Sequence, residues 1–532
     1  MNFTATRLAY QHTGYFSKIV VDYLDGASSL RPFYKHPVSW DGAAAAIGAR
    51  KKFPTDRNLL VNTLRSQYDG IPLSPAVSMN MQLLLKENCF TVTTAHQPAI
   101  FTGSLYFIYK ILHVVRLADQ LARRFPQEHF VPVFYMGSED ADLEELGKIY
   151  LDKQPVVWDT RQTGAVGRMK TRGLEKIIAR IEGEFSVQPF GAELVALLKD
   201  CYLKSDNVQE ATFKLLNALF ASYGLLVLIP DQPALKKAMI PVFEDDLFRQ
   251  IPSEIVEETI ESMSREYKVQ ANPRAINLFY LKDDLRGRIE KQEDHFLVHE
   301  SPLKFTVEQM RKELYEHPER FSPNVILRGL LQETVLPNIA FVGGGGETAY
   351  WLELKNLFEH YHVPFPLLVL RNSFLLIEKK WMEKLERTGL SAADIFRPAE
   401  ELLNDMVRKE SQRQLDLTRE IGDAYNYYEH VRAISASVDP TLSQHVEALQ
   451  ARALKPLKEL EKKLLKAEKR KFEEQRRLLE TVKSELFPLN NLQERVDNFL
   501  PYYASWGKAF CELIYKHSLA LEQQFVVLEE QG

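Results

Sequence analysis

A repeated succession of apolar run, polar turn and amphipathic helix constrains this fold more than any other feature of the sequence. Residues 90–112, FTVTTAHQPAIFTGSLYFIYKIL, begin as a strand rich in β-branched residues and end with the apolar spacing of a helix. A second apolar run, FVPVFYMG, follows, so residues 90–137 form a predicted βαβ unit with parallel strands. The runs YGLLVLIPD, IAFVGGGG and PFPLLVLR extend the pattern. The predicted fold class is α/β, a doubly wound parallel sheet whose ligands bind beyond the carboxyl ends of the strands.

The chain has 532 residues, more than the roughly 250–300 that one hydrophobic core serves, so we expect several structural parts. Residues 1–399 are predicted to form the core, with connecting inserts at about 152–204 and 233–322. Glycine nearly vanishes between 400 and 486, where Leu, Glu, Lys and Arg dominate. This segment is predicted to be an antiparallel α-helical coiled-coil hairpin, and residues 487–532 are expected to return to the core.

The hairpin is predicted to consist of two helical arms, about 404–436 and 441–486, that meet at SVDPTL. A heptad spacing on the second arm indicates a coiled-coil seam. The residues of that spacing are Leu465, Phe472, Leu479 and Leu486. Glu468 interrupts the seam, so we expect a second copy of the chain to cover it, giving a homodimer.

The charge balance is unremarkable, since 67 basic and 72 acidic residues leave a net charge of -5. This balance gives no reason to expect nucleic acid or a membrane surface as a partner. No apolar run approaches the length of about 18 residues that spans a membrane, so we expect a cytoplasmic protein. Cys89, Cys201 and Cys511 lie too far apart in sequence to suggest a disulfide framework or a zinc site, and no tightly bound metal is predicted.

The first candidate site is the turn after the strand at residues 90–95. It contains His96, Gln97, Thr102, Gly103 and Ser104. His96 could serve as a general acid or as a donor to developing charge, and the following helix could bind an anion at its N-terminus. A structural histidine near a strand end is the alternative.

The second candidate is GSEDADLEEL, which follows the next strand. Glu139, Asp140 and Asp142 could bind an ammonium group, accept a proton from an amine nucleophile, or hold magnesium through water. The alternative is helix N-capping by Ser138 or Asp140, which is compatible with catalysis.

The third candidate is the turn VGGGGETAYW, where Gly344, Gly345 and Gly346 would let a ligand approach the backbone closely. It lacks the Lys-Ser/Thr ending of a P-loop and is not a clean dinucleotide fingerprint. Glu347 and Tyr350, in the first turn of the next helix, could orient the ligand.

The fourth candidate is the segment SPNVILRGLLQETVLP. Asn324, Arg328 and Gln332 are spaced by four residues, and one arginine flanked by two amides is a good carboxylate clamp. An ordinary polar helix face has the same pattern.

Taken together, TTAHQPAIFTGSLYFIYKI, VPVFYMGSEDADLEEL, NVILRGLLQETVLPNIAFVGGGGETAYWLELK and the late LQERV resemble the bacillithiol-biosynthesis enzyme family of cysteine ligases. The resemblance spans nearly the whole chain. It implies a Rossmann-like core, a dimer-forming coiled coil, and an active site lined by residues 96–110, including Tyr109 and Lys110. The four candidate sites would share that cavity. The resemblance also implies a nucleotide site that includes Gln493, Glu494 and Arg495. This site could be part of the active site or separate from it.

The resemblance further implies amide formation between the carboxylate of cysteine and the amine of glucosaminyl-malate. ATP would activate the carboxylate as an acyl-adenylate or acyl-phosphate, with Mg²⁺ as a possible companion. Arg328 would hold malate carboxylates, and the acidic cluster would accept the amine proton. Two alternatives are a nucleotidylyltransferase-like enzyme acting on another acid or amine, and a non-catalytic coiled-coil interaction protein. Candidate sites that faced different directions would favour the second alternative.

One departure from the family's pattern concerns the acidic cluster. Many relatives have Glu-Asp-His-Asp where this chain has Glu139, Asp140, Ala141 and Asp142. Either the histidine of those relatives is dispensable, or His96 takes over its role in this chain.

Overall fold

The computed structural model describes residues 2–411 and 415–531. Within these residues the chain forms two compact units. The first contains residues 7–375 and 491–528, and the second contains residues 2–6, 376–490 and 529–531. No helix in the described ranges is long and apolar enough to cross a membrane.

The strands have the following bounds: β1 Phe3–Leu8, β2 Cys89–His96, β3 His129–Met136, β4 Lys148–Leu151, β5 Gln154–Val157, β6 Leu226–Leu228, β7 Leu278–Lys282, β8 Leu285–Gln292, β9 His295–Val298, β10 Lys304–Thr306, β11 Phe321–Pro323, β12 Asn338–Gly343, β13 Leu367–Leu370, β14 Phe374–Ile377 and β15 Phe525–Glu530.

The α-helices of the first unit are α1 Lys18–Leu24, α2 Trp40–Arg50, α3 Arg57–Gln67, α4 Pro75–Leu83, α5 Tyr106–Arg124, α6 Leu143–Leu146, α7 Leu174–Phe185, α8 Gly191–Leu203, α9 Val208–Phe220, α10 Pro233–Lys237, α11 Ile240–Glu244, α12 Ile251–Met263, α13 Val307–Glu316, α14 Val325–Val335, α15 Gly345–Leu352, α16 Lys355–His360, α22 Gln493–Val496, α23 Leu500–Trp506 and α24 Ala509–His517. The second unit contains α17 Lys379–Glu386, α18 Ala399–Glu410, α19 Thr418–Val438, α20 Leu442–Lys469 and α21 Glu473–Leu486.

A five-stranded parallel sheet forms the centre of the first unit, with the strand order β13-β12-β2-β3-β6. The chain adds β3 and β6 on one side of β2 and later returns to add β12 and β13 on the other. The predicted doubly wound α/β fold is therefore confirmed. The direction of winding reverses between β2 and β12, and the carboxyl ends of these two strands end at His96 and Gly343.

The central strands are buried because helices cover the sheet. Helix α5 packs on β2 and β3 and contributes Val114, Leu117 and Leu121 to a core with Val92 and Val342. Polar side chains of β2 are satisfied across the sheet, since Thr94 Oγ1 donates to the carbonyl oxygen of Val342 over 2.7 Å. The turns that follow these strands are therefore anchored to a well-packed, hydrogen-bonded part of the sheet.

The two predicted inserts have different structures. The first, at about 152–204, contains strand β5, which pairs with β4 just before it, and helices α7 and α8; the second contains an antiparallel sheet of order β10-β9-β8-β7-β11. Strand β11 leads directly into α14, which places the fourth candidate site beside the central sheet.

In the second unit, α19 and α20 pack side by side as the predicted antiparallel hairpin. Each predicted arm contains more than one helix. The first comprises α18 and α19, and the part at 412–414 lies outside the described residues. The second comprises α20 and α21, separated by the 3₁₀ turn Arg470–Phe472. The proposed domain boundaries themselves stay a prediction.

Candidate active site

A cavity of about 340 Å³ lies in the first unit, at the carboxyl ends of β2, β3 and β12. All four candidate sites from the sequence contribute to it. The predicted residues that line the cavity are His96, Gln97, Lys110, Glu139, Asp140, Asn324, Arg328, Gly344, Gly345, Gly346, Glu347, Tyr350 and Arg495. Their convergence is the opposite of what the non-catalytic alternative requires.

Nine predicted residues do not line this cavity. They are Thr102, Gly103, Ser104, Tyr109, Ser138, Asp142, Gln332, Gln493 and Glu494. Several of them instead form hydrogen bonds or ion pairs that position the loops and helices around the cavity.

His96 is a neutral imidazole with both nitrogens engaged. Its Nδ1 lies 2.9 Å from the carbonyl oxygen of Gln97, and its Nε2 lies 3.0 Å from the hydroxyl of Tyr106. A carbonyl can only accept, so Nδ1 carries the proton. Burial and, secondarily, the charge of Lys110 lower the pKa of His96 to about 4. Nε2 therefore accepts from Tyr106, and the ring offers no free N–H to a substrate.

The rest of the first turn binds the C-terminal segment of the same unit. Phe101 and Thr102 have φ values of 49° and 64°, a backbone conformation that is uncommon outside glycine. Asn498 stabilises it, since Nδ2 donates to the carbonyl oxygens of Phe101, over 3.0 Å, and Gly103. Ser104 Oγ donates to the carbonyl oxygen of Arg495 over 3.0 Å. Thr102, Gly103 and Ser104, the turn residues before α5 where an anion was expected to bind, do not line the cavity.

Glu139 is held in a buried network. It pairs with Lys236 of α10, whose side chain is 0% exposed and whose Nζ also donates to the carbonyl oxygen of Glu319 over 3.0 Å. Burial raises the pKa of Glu139 despite the opposing charge of Lys236. Asp231 lies 3.8 Å from Lys236 Nζ and accepts two bonds of 2.8 Å from Arg168. The network fixes the loop that follows β3.

Asp140 and Asp142 have different positions although only two residues separate them. Asp140 lines the cavity, where it accepts from Gln97 Nε2 over 2.9 Å and from the N–H of Ala141 over 2.7 Å. Asp142 Oδ1 accepts from the N–H of Glu145 and caps α6. The expected cap by Ser138 or Asp140 is therefore wrong, because Asp142 occupies that position.

The glycine turn forms one wall of the cavity at the start of α15. Glu347 accepts from the N–H of Gly344 over 2.8 Å and pairs with Lys110, which also donates to the carbonyl oxygen of Ala95 over 2.9 Å. Burial disfavours the charge on Glu347, but Lys110, the N–H of Gly344 and Arg328 together outweigh it and hold the pKa of Glu347 below its usual range. A Cβ added to Gly346 would have its nearest neighbour at 3.9 Å, so this wall has room for a ligand.

The predicted clamp of two amides and one arginine does not form. Asn324 caps α14 through the N–H of Ile326. Gln332 is 0% exposed and donates to Glu333 over 2.9 Å. Arg328 lines the cavity and donates to the hydroxyl of Tyr350, while its buried Nη1 has no hydrogen-bond partner among the described residues. The arginine of the predicted clamp is available to a ligand, but its two amides are occupied by the fold.

The C-terminal segment contributes to the same cavity. Glu494 is buried and pairs with Arg371 over 2.7 Å, and it also accepts from the N–H of Phe374 over 3.2 Å. The side chain of Arg495 lines the cavity, whereas Gln493 is buried. Of the three residues predicted to bind a nucleotide, Gln493 and Glu494 are therefore structural, and Arg495 lines the candidate site.

Two family models cover almost the whole chain. Residues 1–372 match "Bacillithiol biosynthesis BshC, N-terminal Rossmann-like domain", and residues 374–530 match "Bacillithiol biosynthesis BshC, C-terminal coiled-coil domain". The chain belongs to the bacillithiol biosynthesis BshC family. The family resemblance and the Rossmann-like core predicted from the motifs are both confirmed.

Relatives in the BshC family align from end to end. Proteins named "Putative cysteine ligase BshC" share 39% identity in Flavobacterium johnsoniae and 38% in Cytophaga hutchinsonii. The first alignment covers 98% of this chain and 99% of the relative, and the second covers 94% of each. A third relative of the same name, from Salinibacter ruber, is 29% identical over 95% of each chain.

Five polar side chains in the cavity of this BshC family member were not named individually as site residues from the sequence: Tyr106, Tyr135, Arg286, Ser322 and Arg371. Two of them carried a usable signal. Tyr106 precedes Lys110 by four residues on α5, and Arg371 directly follows the strand β13. The other three carried none. Among the described residues, no group of three or more His, Cys, Asp or Glu side chains could hold a metal ion.

Proposed function

We propose that this BshC family member forms an amide between the carboxylate of cysteine and the amine of glucosaminyl-malate in bacillithiol biosynthesis. The proposal draws on relatives that align over their full length and carry the name of a cysteine ligase. It also draws on a cavity whose charges suit a substrate with two carboxylates.

The observation that carries the proposal is an excess of positive charge in the cavity. Lys110 pairs with Glu347, and Arg371 pairs with Glu494. Arg328 and Arg495 also line the cavity, and neither forms an ion pair with a carboxylate of the described residues. A partly buried guanidinium without a carboxylate favours an anionic ligand, which it can bind through two N–H groups. The two malate carboxylates are anions of this kind.

The chemistry requires an acceptor for the proton of the attacking amine. Among the cavity carboxylates, Glu139 is paired with Lys236 and Glu347 with Lys110, whereas Asp140 has only N–H donors within hydrogen-bond distance. Asp140 is the proposed proton acceptor. Its nearest cation is Arg286, 3.9 Å away.

ATP is the proposed cosubstrate, with Mg²⁺ bound through its phosphates. The wall of Gly344, Gly345 and Gly346 fits a phosphate group, because it carries no side chains and opens onto the first N–H groups of α15. Arg495 could add charge to the same site. When bound, the nucleotide would supply the leaving group that makes the cysteine carboxylate reactive.

We also propose that the α19-α20 hairpin associates with a second copy of the chain. Large apolar side chains are exposed along the hairpin, including Tyr427 at 64%, Ile434 at 54% and Val438 at 79%. Light scattering on the purified protein tests this proposal, since a monomer at micromolar concentration would contradict it.

Reconstitution tests the proposed reaction. Purified protein is incubated with glucosaminyl-malate and cysteine, with and without ATP and Mg²⁺, and bacillithiol is measured by mass spectrometry. We expect product only when all components are present, and serine in place of cysteine serves as the control for the acid. Failure to form product under any condition would refute the proposed function. Product without ATP would refute only the nucleotide requirement.

A further inference from the structure

The hydroxyl of Tyr106 has a fixed direction in its hydrogen bond with His96. The only N–H of the neutral His96 ring, at Nδ1, donates to the carbonyl oxygen of Gln97. Nε2 must therefore accept the hydrogen bond from Tyr106. Burial and, secondarily, the charge of Glu145 raise the pKa of Tyr106 to about 12, so its hydroxyl keeps a proton to donate. A hydroxyl that donates its one hydrogen has only acceptor capacity left.

This acceptor faces a cavity that consists mostly of donors. Lys110, Arg328, Arg371 and Arg495 cannot accept a hydrogen bond. The carboxylates of Glu139 and Glu347 are each paired with a lysine, and Asp140 already accepts from Gln97 Nε2 and from the N–H of Ala141. Tyr106 therefore offers a neutral acceptor, and Arg371 lies close to it, with its guanidinium carbon 5.1 Å from the ring centroid.

From this geometry we infer that Tyr106 binds the substrate amine through its hydroxyl oxygen, and that His96 is the positioning residue that holds the hydroxyl as an acceptor. The inference rests on the proposed function, because it identifies the nucleophile as an amine. It gives a specific role to Tyr106, which the sequence motifs placed only within the segment 96–110.

A neutral acceptor has a chemical advantage over a carboxylate at this position. A carboxylate beside an amine stabilises the protonated ammonium form, which has no lone pair with which to attack. The oxygen of Tyr106 accepts one N–H bond without favouring the extra proton, and the nearby guanidinium of Arg371 disfavours it. The amine is thereby oriented as the free base, with its lone pair available.

The test measures how much the amine contributes to binding. Isothermal titration gives the Kd of glucosaminyl-malate and of the 2-deoxyglucosyl-malate analogue, which lacks the amine, in the absence of cysteine and ATP. The proteins are the wild type, Tyr106→Phe, His96→Ala and the matched control Tyr135→Phe. Tyr135 lines the same cavity, and its hydroxyl has no hydrogen-bond partner among the described residues.

We expect the wild type and Tyr135→Phe to bind the amine ligand about tenfold more tightly than the analogue, since a hydrogen bond contributes on the order of one such factor. In Tyr106→Phe the two ligands should bind nearly equally, and His96→Ala should also lose part of the preference. A merely structural role would weaken both ligands alike and leave their ratio unchanged.

The outcomes separate this inference from the proposed function. If Tyr106→Phe keeps the wild-type ratio, or if the wild type shows no preference for the amine, the inference is overturned even where the wild type makes product. If the wild type neither binds glucosaminyl-malate nor forms product, the proposed function itself fails. Unchanged thermal midpoints in the variants exclude unfolding as the cause of a lost preference.

Discussion

Replacing Lys236 with methionine should destabilise the first unit in a strongly pH-dependent way. The ammonium of Lys236 is fully buried against Glu139 and the carbonyl oxygen of Glu319. Methionine keeps most of the apolar stem but removes the charge. Glu139, whose side chain is only 9% exposed, then has no lysine to balance it, and Asp231 lies close to the same place.

The size of the loss in stability is set by the least costly way in which the variant can accommodate the unpaired Glu139. Removing one partner of a buried ion pair typically costs about 3–5 kcal/mol. The variant can limit this loss by protonating Glu139, which at pH 7 costs about 3 kcal/mol for a group whose unfolded pKa is near 4.5. Because the folded pKa is raised above the unfolded value, the penalty is absent at low pH and grows as the pH rises. At pH 5 it should be about 1 kcal/mol or less.

Urea unfolding of the wild type and Lys236→Met, followed by tryptophan fluorescence at pH 5 and pH 7, measures these differences. The double variant Lys236→Met/Glu139→Gln is the matched control, because it leaves no unpaired charge, and it should recover most of the loss at pH 7. An equal loss at both pH values would contradict the reasoning. So would a double variant no more stable than Lys236→Met.

Two further predictions concern carboxylates with different surroundings. Asp140→Asn should lower kcat/KM by about 10²-fold or more, as expected for a general base. Asp142→Ala should leave kcat/KM nearly unchanged but cost about 0.5–2 kcal/mol of stability, because the cap of α6 is lost. Equal losses of kcat/KM in the two variants would contradict this separation. Burial raises the pKa of Asp246 and of Glu353 to about 7, above their unfolded values, so their contribution to stability is greatest in acid and is lost as the pH rises through 7. The thermal midpoint of the wild type should fall between pH 5 and pH 8, and less so in Asp246→Asn.

The elements that the sequence predicted well are those defined by local patterns. The run at residues 90–95 lies within β2, and the helical spacing after Gly103 corresponds to α5. Burial on both faces of a parallel strand produces continuous apolar runs, and a helix with one buried face produces 3.6-residue spacing. These signals need no knowledge of distant contacts. The doubly wound class followed from the same local units, whereas the strand order was not predicted.

The turn of the first candidate site divides at a point that no local pattern shows. His96 and Gln97 line the cavity, whereas Gly103 and Ser104 bind Asn498 and Arg495, almost 400 residues away in the chain. Both functions call for polar side chains and glycine. The sequence therefore predicted a special turn correctly but could not tell which half faces a ligand.

The clamp prediction failed for a geometric reason. A helix turns about 100° per residue, so a spacing of four drifts by about 40° at each step. Asn324 precedes the helix as its cap, and Gln332 has rotated toward the buried side, where it contacts Glu333. Arg328 and Asn324 both line the cavity, but the amide of Asn324 is used in the cap of α14 and only the arginine is available to a ligand.

The distribution of charge partners in the cavity limits what it can bind. Lys110 pairs with Glu347, and Arg371 pairs with Glu494, whereas Arg328 and Arg495 form no ion pair with a carboxylate of the described residues. Arg328 is partly buried and Arg495 is exposed, and an anionic ligand could pair with both guanidinium groups. An anionic ligand therefore suits this cavity better than a neutral one. The proposed substrate, glucosaminyl-malate, joins an amine to two carboxylates.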